Sequence, residues 1–463
     1  MKVNELLNVA IEDLVLGGDA LAHHEGRVVF VDRGLPADRL EARVTRIRKR
    51  YAEARAVRVL EPSPHRIAAR CPHVGVCGGC RFQELAYAEQ CVAKERQVRE
   101  TLVRLGGIAA PDVRSIVPAP EAFGYRNKME FTFAPDDAGA PRLGLHERGA
   151  FDRVFELETC LLASPLTVEI VRFTQRFARE HGWRAYHPRQ HQGVVRFLIV
   201  RHLPLTDQCA VHLIAASEEI PALAEWTSGV AALAPTVKTV TLGLNRGRAA
   251  VAFAEEERLL HGPGFVVERL LGLEFEAGGN VFLQTNSRQA EALYASALEA
   301  AALKGGETVL DLYSGSGTLT LLFARRAAAA VGVEDVADSV KRAIRNARRN
   351  GVTNARFVEG DARRVLREWA RGERESPPRP DVVVVDPPRA GLHPRVVARV
   401  AELLPSRIVY VSCNPGTLAR DLGDFAGRGY AVGPVRPFDL FPHTPHIECV
   451  VRLDRVAGNV HEA

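Results

Sequence analysis

Thr308-Val-Leu-Asp311-Leu-Tyr313-Ser-Gly315-Ser-Gly317-Thr318 decides how this chain folds. An apolar run that passes through two glycines into Leu319-Thr-Leu-Leu-Phe reads as a strand turning directly into a helix. Glycines at such a turn let a ligand approach the backbone at the helix N-terminus. The next strand, Ala330-Val-Gly-Val-Glu334, ends in a carboxylate placed to accept from two ribose hydroxyls. The third glycine of a dinucleotide fingerprint is replaced by Thr320, which favours S-adenosylmethionine over a nicotinamide cofactor. Asp361, closing the third strand, is then positioned for the adenine amino group.

Working outward, Asp381-Val-Val-Val-Val-Asp386 and Arg407-Ile-Val-Tyr-Val-Ser412 are continuous apolar runs, as expected in a parallel sheet covered on both faces. Tyr430–Asp439 and His446–Leu453 follow with no helix between them and are expected to form a closing antiparallel pair. Residues 271–457 are thus read as an α/β Rossmann-like unit. Residues 63–270 are expected to form an α+β middle unit. Strands dominate from 124 to 260, with helices near 165–181 and over 84–105, the latter with Leu85, Ala88, Val92, Val98, Leu102 and Leu105 on one stripe. Residues 1–62 alternate apolar and polar in short runs, the pattern of a small OB-like β-barrel. Its later strands carry Arg43, Arg46, Arg48, Lys49, Arg50, Arg55 and Arg58 around Tyr51: either a solvated strand face or a grip on single-stranded nucleic acid.

The 463 residues are 46% hydrophobic and 25% charged, which excludes a disordered or fibrous chain. No run approaches the ~18 apolar residues of a membrane span, and Met-Lys-Val-Asn-Glu does not open a secretory leader, so a cytoplasmic protein without a membrane partner is expected. The net charge of +5 is built almost wholly from arginine, there being seven lysines. That reflects either a GC-rich genome or an anionic partner gripped by guanidinium forks. Eight cysteines in such a compartment are expected to stay reduced; Cys71, Cys77 and Cys80 cluster within ten residues.

Two further motifs fall at strand exits, where open α/β sheets keep their active sites. Asp386-Pro387-Pro388-Arg389 carries an arginine where methylation of an exocyclic amine would want an aromatic ring. Ser412-Cys413-Asn414-Pro415 presents a cysteine as a nucleophile candidate. Glu448, set among Ile447, Val450 and Val451, has the surroundings of a desolvated general base. These groups fit one reaction. Carbon 5 of uracil becomes nucleophilic once a thiolate adds to carbon 6. Cys413 would add, Asp386 orient the ring and Glu448 remove the carbon 5 proton, with the methyl donor at Gly315 on the same edge.

The chain resembles the uracil-carbon-5 RNA methyltransferases, in particular their iron–sulfur branch with an N-terminal TRAM domain. The resemblance spans nearly its whole length. It is carried by Cys71-Pro-His-Val-Gly-Val-Cys77-Gly-Gly-Cys80, Asn280-Val-Phe-Leu-Gln284-Thr-Asn, Asp311-Leu-Tyr-Ser-Gly-Ser-Gly, Asp386-Pro-Pro-Arg-Ala-Gly, Val411-Ser-Cys413-Asn-Pro-Gly and Phe441-Pro-His-Thr-Pro-His-Ile-Glu448. It implies Cys413 as nucleophile and Glu448 as base, with Gln284, Tyr313, Thr318, Glu334, Asp361 and Asp386 lining the donor and base pocket. Thr318 and Asp361 stand where the family often has Asn; both keep a hydrogen-bonding group. The resemblance also implies a 4Fe–4S cluster on Cys71, Cys77, Cys80 and Cys160, whereas the spacing alone admits zinc as well. Gly78-Gly79 is read as keeping that loop tight, and Cys91 as lying on the apolar side of its helix. The implied substrate is RNA, 23S ribosomal RNA before transfer RNA uridine-54, acted on by a monomer. A cytosine carbon-5 methyltransferase is a rival, but would be expected to carry a Pro-Cys where this chain has Asp386-Pro-Pro. A non-catalytic iron–sulfur RNA-binding protein is a second, disfavoured by the intact Cys413, Glu448 and donor loop.

Overall fold

A computed structural model describes residues 1–456; residue 457, the last of the expected catalytic unit, lies outside them. Five strands close the N-terminal barrel: β1 (Leu6–Leu14), β2 (Ala20–His24), β3 (Arg27–Asp32), β4 (Arg39–Ile47) and β5 (Tyr51–Glu61), in the order β1-β2-β3-β5-β4. Alternation places Leu7, Val9, Ile11, Val29, Val31, Leu40, Ala42 and Val44 inside. Phe82, Leu85 and Ala93, from beyond the barrel, pack against the same core.

Helix α1 (Tyr87–Gly106) follows. Its buried face differs from the expected stripe. Val92 and Leu105 are 55% and 63% exposed, whereas Gln90, Lys94, Gln97 and Thr101 are buried with Val98 and Leu102. The reason is tertiary: the polar side chains find buried partners in the barrel and in a catalytic-sheet loop. Gln97 Nε2 donates to Leu14 O at 3.0 Å, and Lys94 Nζ reaches Asp439 Oδ1 at 2.7 Å.

The middle sheet is built from β6 (Lys128–Pro135), β7 (Pro141–His146), β8 (Val154–Glu156), β9 (Val195–Leu203), β10 (Gln208–Ala215), β11 (Val237–Leu244) and β12 (Glu256–His261), in the order β12-β11-β10-β9-β6-β7-β8. Helices α2 (Pro165–Glu180) and α3 (Leu223–Leu233) cover it through Ile170, Val171, Phe177, Trp226 and Val230. The hairpin β13 (Val266–Leu270) and β14 (Leu273–Ala277) and helix α4 (Ser287–Ala301) pack on the catalytic sheet.

That sheet alternates β15 (Thr308–Leu312), α5 (Thr318–Ala324), β16 (Ala329–Glu334), α6 (Ala337–Arg349), β17 (Ala355–Glu359), α7 (Ala362–Ala370), β18 (Val382–Val385), α8 (Pro394–Glu402), β19 (Arg407–Ser412) and α9 (Pro415–Ala426), and closes with β20 (Tyr430–Phe438) and β21 (Glu448–Arg455). The order is β17-β16-β15-β18-β19-β21-β20, with β21 antiparallel to both neighbours. Leu310, Leu312, Val383 and Val385 face one core, Val309, Val382 and Val384 the other, so both faces are covered. The chain winds outward from β15 to β17 and returns beside β15 as β18. That reversal opens a crevice at the carboxyl ends of β15 and β18.

Candidate active site

Tyr313, Thr318, Glu334 and Asp361, four of the expected donor-site residues, stand at or beyond the carboxyl ends of β15, β16 and β17. Tyr313 leaves β15 with φ +68°, and Gly315 and Gly317 follow at +55° and +84°. Glu334, at the end of β16, accepts from Gly315 N and Val336 N, both at 2.9 Å, so its carboxylate already holds the loop against the next strand. Space beside Gly315 is open: a Cβ built there would meet nothing within 4 Å. Thr318 is buried at the start of α5, and Gln284 is buried ahead of α4. Asp361 caps α7, accepting from Arg364 N at 2.9 Å. Asp311 is buried on β15, its Oδ2 accepting from Thr320 Oγ1 at 2.5 Å and its Oδ1 without a partner among the described residues; burial pushes its carboxyl up to about 7. An open face flanked by carboxylates at successive strand ends fits a ribose and a purine amino group.

The reacting groups meet along the same edge. Ser412 on β19 pairs with Cys449 on β21, so Cys413 and Glu448 are the next facing positions. Glu448 is buried, and its Oε2 has no hydrogen-bond partner among the described residues. Burial, then the nearby Asp386 carboxyl, holds its pKa well above the usual carboxylate range. Asp386 leaves β18 and is pushed up to about 7 by burial. The Cys413 thiol is raised to about 12, first by burial and then by Glu448 and Asp386. Arg389 acts in the opposite direction on both the thiol and Glu448.

Sequence reasoning gave Arg389 no partner; the structure supplies one. Its Nη2 donates to His446 Nδ1 at 3.0 Å, and burial and the neighbouring guanidinium hold that imidazole down at about 4, hence neutral. Asn414 Nδ2 donates to Arg389 O at 2.9 Å, tying the two strand exits together. The only signal in the sequence was the placement of Arg389 and His446 inside two of the quoted motifs.

Three parts of the chain wall one cleft of about 500 Å³: Leu16 and Gly17 of the barrel, Gly78, Gly79 and Arg81 of the cysteine loop, and Arg389, Cys413, Asn414 and His446 of the catalytic sheet. The barrel reaches the cleft through its β1–β2 turn. Arg43, Arg46, Arg48, Lys49, Arg50, Arg55 and Arg58 are exposed on β4, β5 and their turn and do not line it. Arg81 N and Phe82 N both donate to His443 O, at 2.8 and 3.1 Å, so the cysteine loop holds the segment that leads into Glu448.

Cys71, Cys77, Cys80 and Cys160 line a single cavity with Leu145, Phe155 and Leu162, and Cys91 is not among its walls. Burial, with the neighbouring thiols adding to it, raises Cys77, and raises Cys80 to about 12. Among the described residues no three His, Cys, Asp or Glu side chains are placed to hold one metal ion. A set of four cysteines is a donor set that both zinc and an iron–sulfur cluster use.

The TRAM domain profile matches residues 1–57, and that of the tRNA (uracil-5-)-methyltransferases residues 224–456. The chain belongs to the tRNA (uracil-5-)-methyltransferase family. It is an S-adenosylmethionine-dependent RNA methyltransferase of the uracil-5 type. An uncharacterised RNA methyltransferase of Nitratidesulfovibrio vulgaris is 42% identical over 96% of this chain and 95% of its own length. One of Halalkalibacterium halodurans is 36% identical over 97% of each. The Pyrococcus abyssi tRNA (uracil-54, C5)-methyltransferase, solved with S-adenosyl-L-homocysteine, superposes with a TM-score of 0.77 at 27% identity, over 96% of this chain and 99% of its own. No helix of the described residues is long and apolar enough to cross a membrane.

Proposed function

We propose that this member of the family methylates carbon 5 of a uridine in 23S ribosomal RNA through a covalent adduct of Cys413 at carbon 6. The observation that carries the reading is the facing placement of Cys413 and Glu448 beside Asp386, on the edge that also bears the Gly315 loop. Within the cleft the thiol, Glu448 and Asp386 are held toward their protonated forms, because a desolvated site disfavours each charged form. Arg389 is the cation whose field favours the thiolate, and neutral His446 steadies that guanidinium without cancelling its charge. Asp386 orients the ring by hydrogen bonding to its polar edge. Cys413 and Glu448 must first give their protons to solvent; the Cys413 thiolate then bonds to carbon 6, and the displaced electron pair runs through carbon 5 to the carbon 4 oxygen. S-adenosylmethionine supplies the methyl group to carbon 5 and leaves as S-adenosylhomocysteine. Glu448 takes the carbon 5 proton, the ring double bond re-forms, and the Cys413 thiolate departs. Gln284, Tyr313, Thr318, Glu334 and Asp361 would hold the donor.

We propose the division into 1–62, 63–270 and 271–457, and a 4Fe–4S cluster on Cys71, Cys77, Cys80 and Cys160. The methylation itself is redox-neutral. The cysteine loop's hydrogen bonds to His443 therefore support a structural part for the cluster, as a fixed wall of the cleft. Transfer RNA uridine-54 is the second reading, supported by the likeness to the Pyrococcus abyssi enzyme. Unmodified 23S and transfer RNA transcripts carrying 5-fluorouridine decide between them. Fluorine at carbon 5 leaves Glu448 no proton to remove, so the true substrate stays bonded to Cys413. A denaturation-resistant complex with the ribosomal transcript alone supports the reading. One formed equally by Cys413→Ala would refute the covalent step.

A further inference from the structure

The glycine pair between Cys77 and Cys80 has no duty in the fold. Both residues are exposed, and neither has the left-handed backbone that favours glycine. A Cβ built on Gly78 would lie 3.5 Å from His146 O and 3.6 Å from Arg148 Cα; one on Gly79 would lie 3.5 Å from Cys77 Sγ. These are ordinary van der Waals distances, so alanine fits at either position and the loop does not owe its tightness to the pair. Gly18, nearby, is different: at φ +90° its Cβ would meet Arg81 Cδ at 3.0 Å and Pro445 Cβ at 3.1 Å.

What Gly78 and Gly79 do share is the cleft. They form the wall between Gly17 of the barrel and Arg389, Cys413 and His446 of the catalytic sheet. Their own amides are occupied, Gly78 N by His146 O at 3.2 Å and Gly79 N by Cys77 Sγ at 3.3 Å, so the pair offers bare surface rather than hydrogen-bond donors. Cations flank that surface. Arg81 lines the same cleft, anchored on Gly17 O and Asp19, and so does exposed Arg389, on neutral His446. The backbone of Arg148 lies behind Gly78, while its guanidinium is paired with Asp32.

We propose that Gly78–Gly79 is the floor on which the single-stranded RNA beside the target uridine lies, its sugar–phosphate chain against side-chain-free peptide and its phosphates between Arg81 and Arg389. The proposal rests on the reading of the chain as an enzyme acting on RNA, and it deepens that reading. Close approach needs a surface without side chains, and an anionic chain needs flanking guanidinium groups. The pair thereby admits a strand into the cleft that a bulkier loop would exclude.

The test uses full-length protein with Gly78→Ala/Gly79→Ala and Gly78→Leu/Gly79→Leu changes, and Val76→Ala as a control in the same loop outside the cleft. Filter binding to 23S and transfer RNA transcripts, S-adenosylhomocysteine affinity, thermal stability and KM for RNA are measured. The alanine pair should melt within about 2 °C of the parent protein. The leucine pair should weaken RNA binding and raise KM about tenfold or more, with S-adenosylhomocysteine affinity unchanged and the control unaltered. RNA affinity within twofold of the parent for the leucine pair would overturn the floor. So would a large loss of stability in the alanine pair, which would return the glycines to the fold. A parent protein that neither binds nor methylates either transcript would instead overturn the RNA reading, and the floor with it.

Discussion

Replacing Lys94 by Met tests whether the middle region holds the catalytic loop. Lys94 and Asp439 are both fully buried, and Asp439 Oδ1 also accepts from Phe441 N at 3.2 Å, while Oδ2 has no partner among the described residues. Lys94 Nζ further donates to Phe441 O at 3.1 Å. Methionine keeps the volume and removes the charge, leaving a desolvated carboxylate with half of its acceptors unmet. Breaking such a pair costs about 3–5 kcal/mol, against about 5–15 kcal/mol for a whole domain. In a unit of this size each kcal/mol lowers Tm by roughly 2–4 °C, so a fall of about 6–20 °C is expected. The loop from Asp439 to His446 runs into Glu448, so adduct formation should slow with it. Lys94→Met combined with Asp439→Leu removes both charges and should recover much of the stability, because it was the orphaned carboxylate that was costly. Scanning calorimetry of the two single variants and the double one reads this directly. A Lys94→Met protein melting within about 2 °C of the parent, or a double variant as unstable as the sum of its parts, would refute the reasoning.

Acid should switch the enzyme off: Glu448 acts as a base only when ionised and its pKa is held high, so kcat/KM should still be climbing with pH above the ordinary carboxylate range. Stability should move the other way. Folded Asp311 and Asp386 keep their protons up to about 7 against an ordinary 3.8, so between those values the folded state binds more protons and stability declines as pH rises. A pH series of melting curves, with Asp386→Asn showing a shallower decline, checks the sign. Protein purified without air should carry about four irons per chain; Cys160→Ser should lose them and Cys91→Ser should not, because Cys91 stands outside the four-thiol cavity. If the exposed arginines of β4, β5 and their turn touch phosphate, Arg46→Glu and Arg50→Glu should each flatten the salt dependence of RNA affinity by roughly 0.7 in log–log slope. An unchanged slope would make them a solvated strand face.

The catalytic sheet was legible because its strands announce themselves: Val382–Val385 is wholly apolar, and two-sided burial is the one environment that favours such a run. The candidates proposed as nucleophile and base stood out because each is anomalous where it stands, a thiol at a strand exit and a carboxylate among valines. The inner face of α1 was not. Gln90, Lys94 and Gln97 look like a solvated stripe until distant partners are supplied: His443 for Gln90, Asp439 for Lys94 and Leu14 O of the barrel for Gln97. The cleft is of the same kind. Its walls come from residues 16–17, 78–79, 81, 389, 413–415 and 445–447, and no local pattern shows that a barrel turn and a cysteine loop face one thiol. The basic strands, conspicuous in the sequence, lie away from the cleft, a separation that no local pattern shows.

The central claim is tested most directly by following the methyl group. Protein, unmodified 23S transcript and S-adenosylmethionine bearing a trideuterated methyl are incubated, and the RNA is digested to nucleosides for mass spectrometry. The account predicts deuterated 5-methyluridine as the labelled nucleoside, absent with Cys413→Ala and with Glu448→Gln. Label on cytidine or on a ribose oxygen, or label on uridine that survives loss of Cys413, would contradict it.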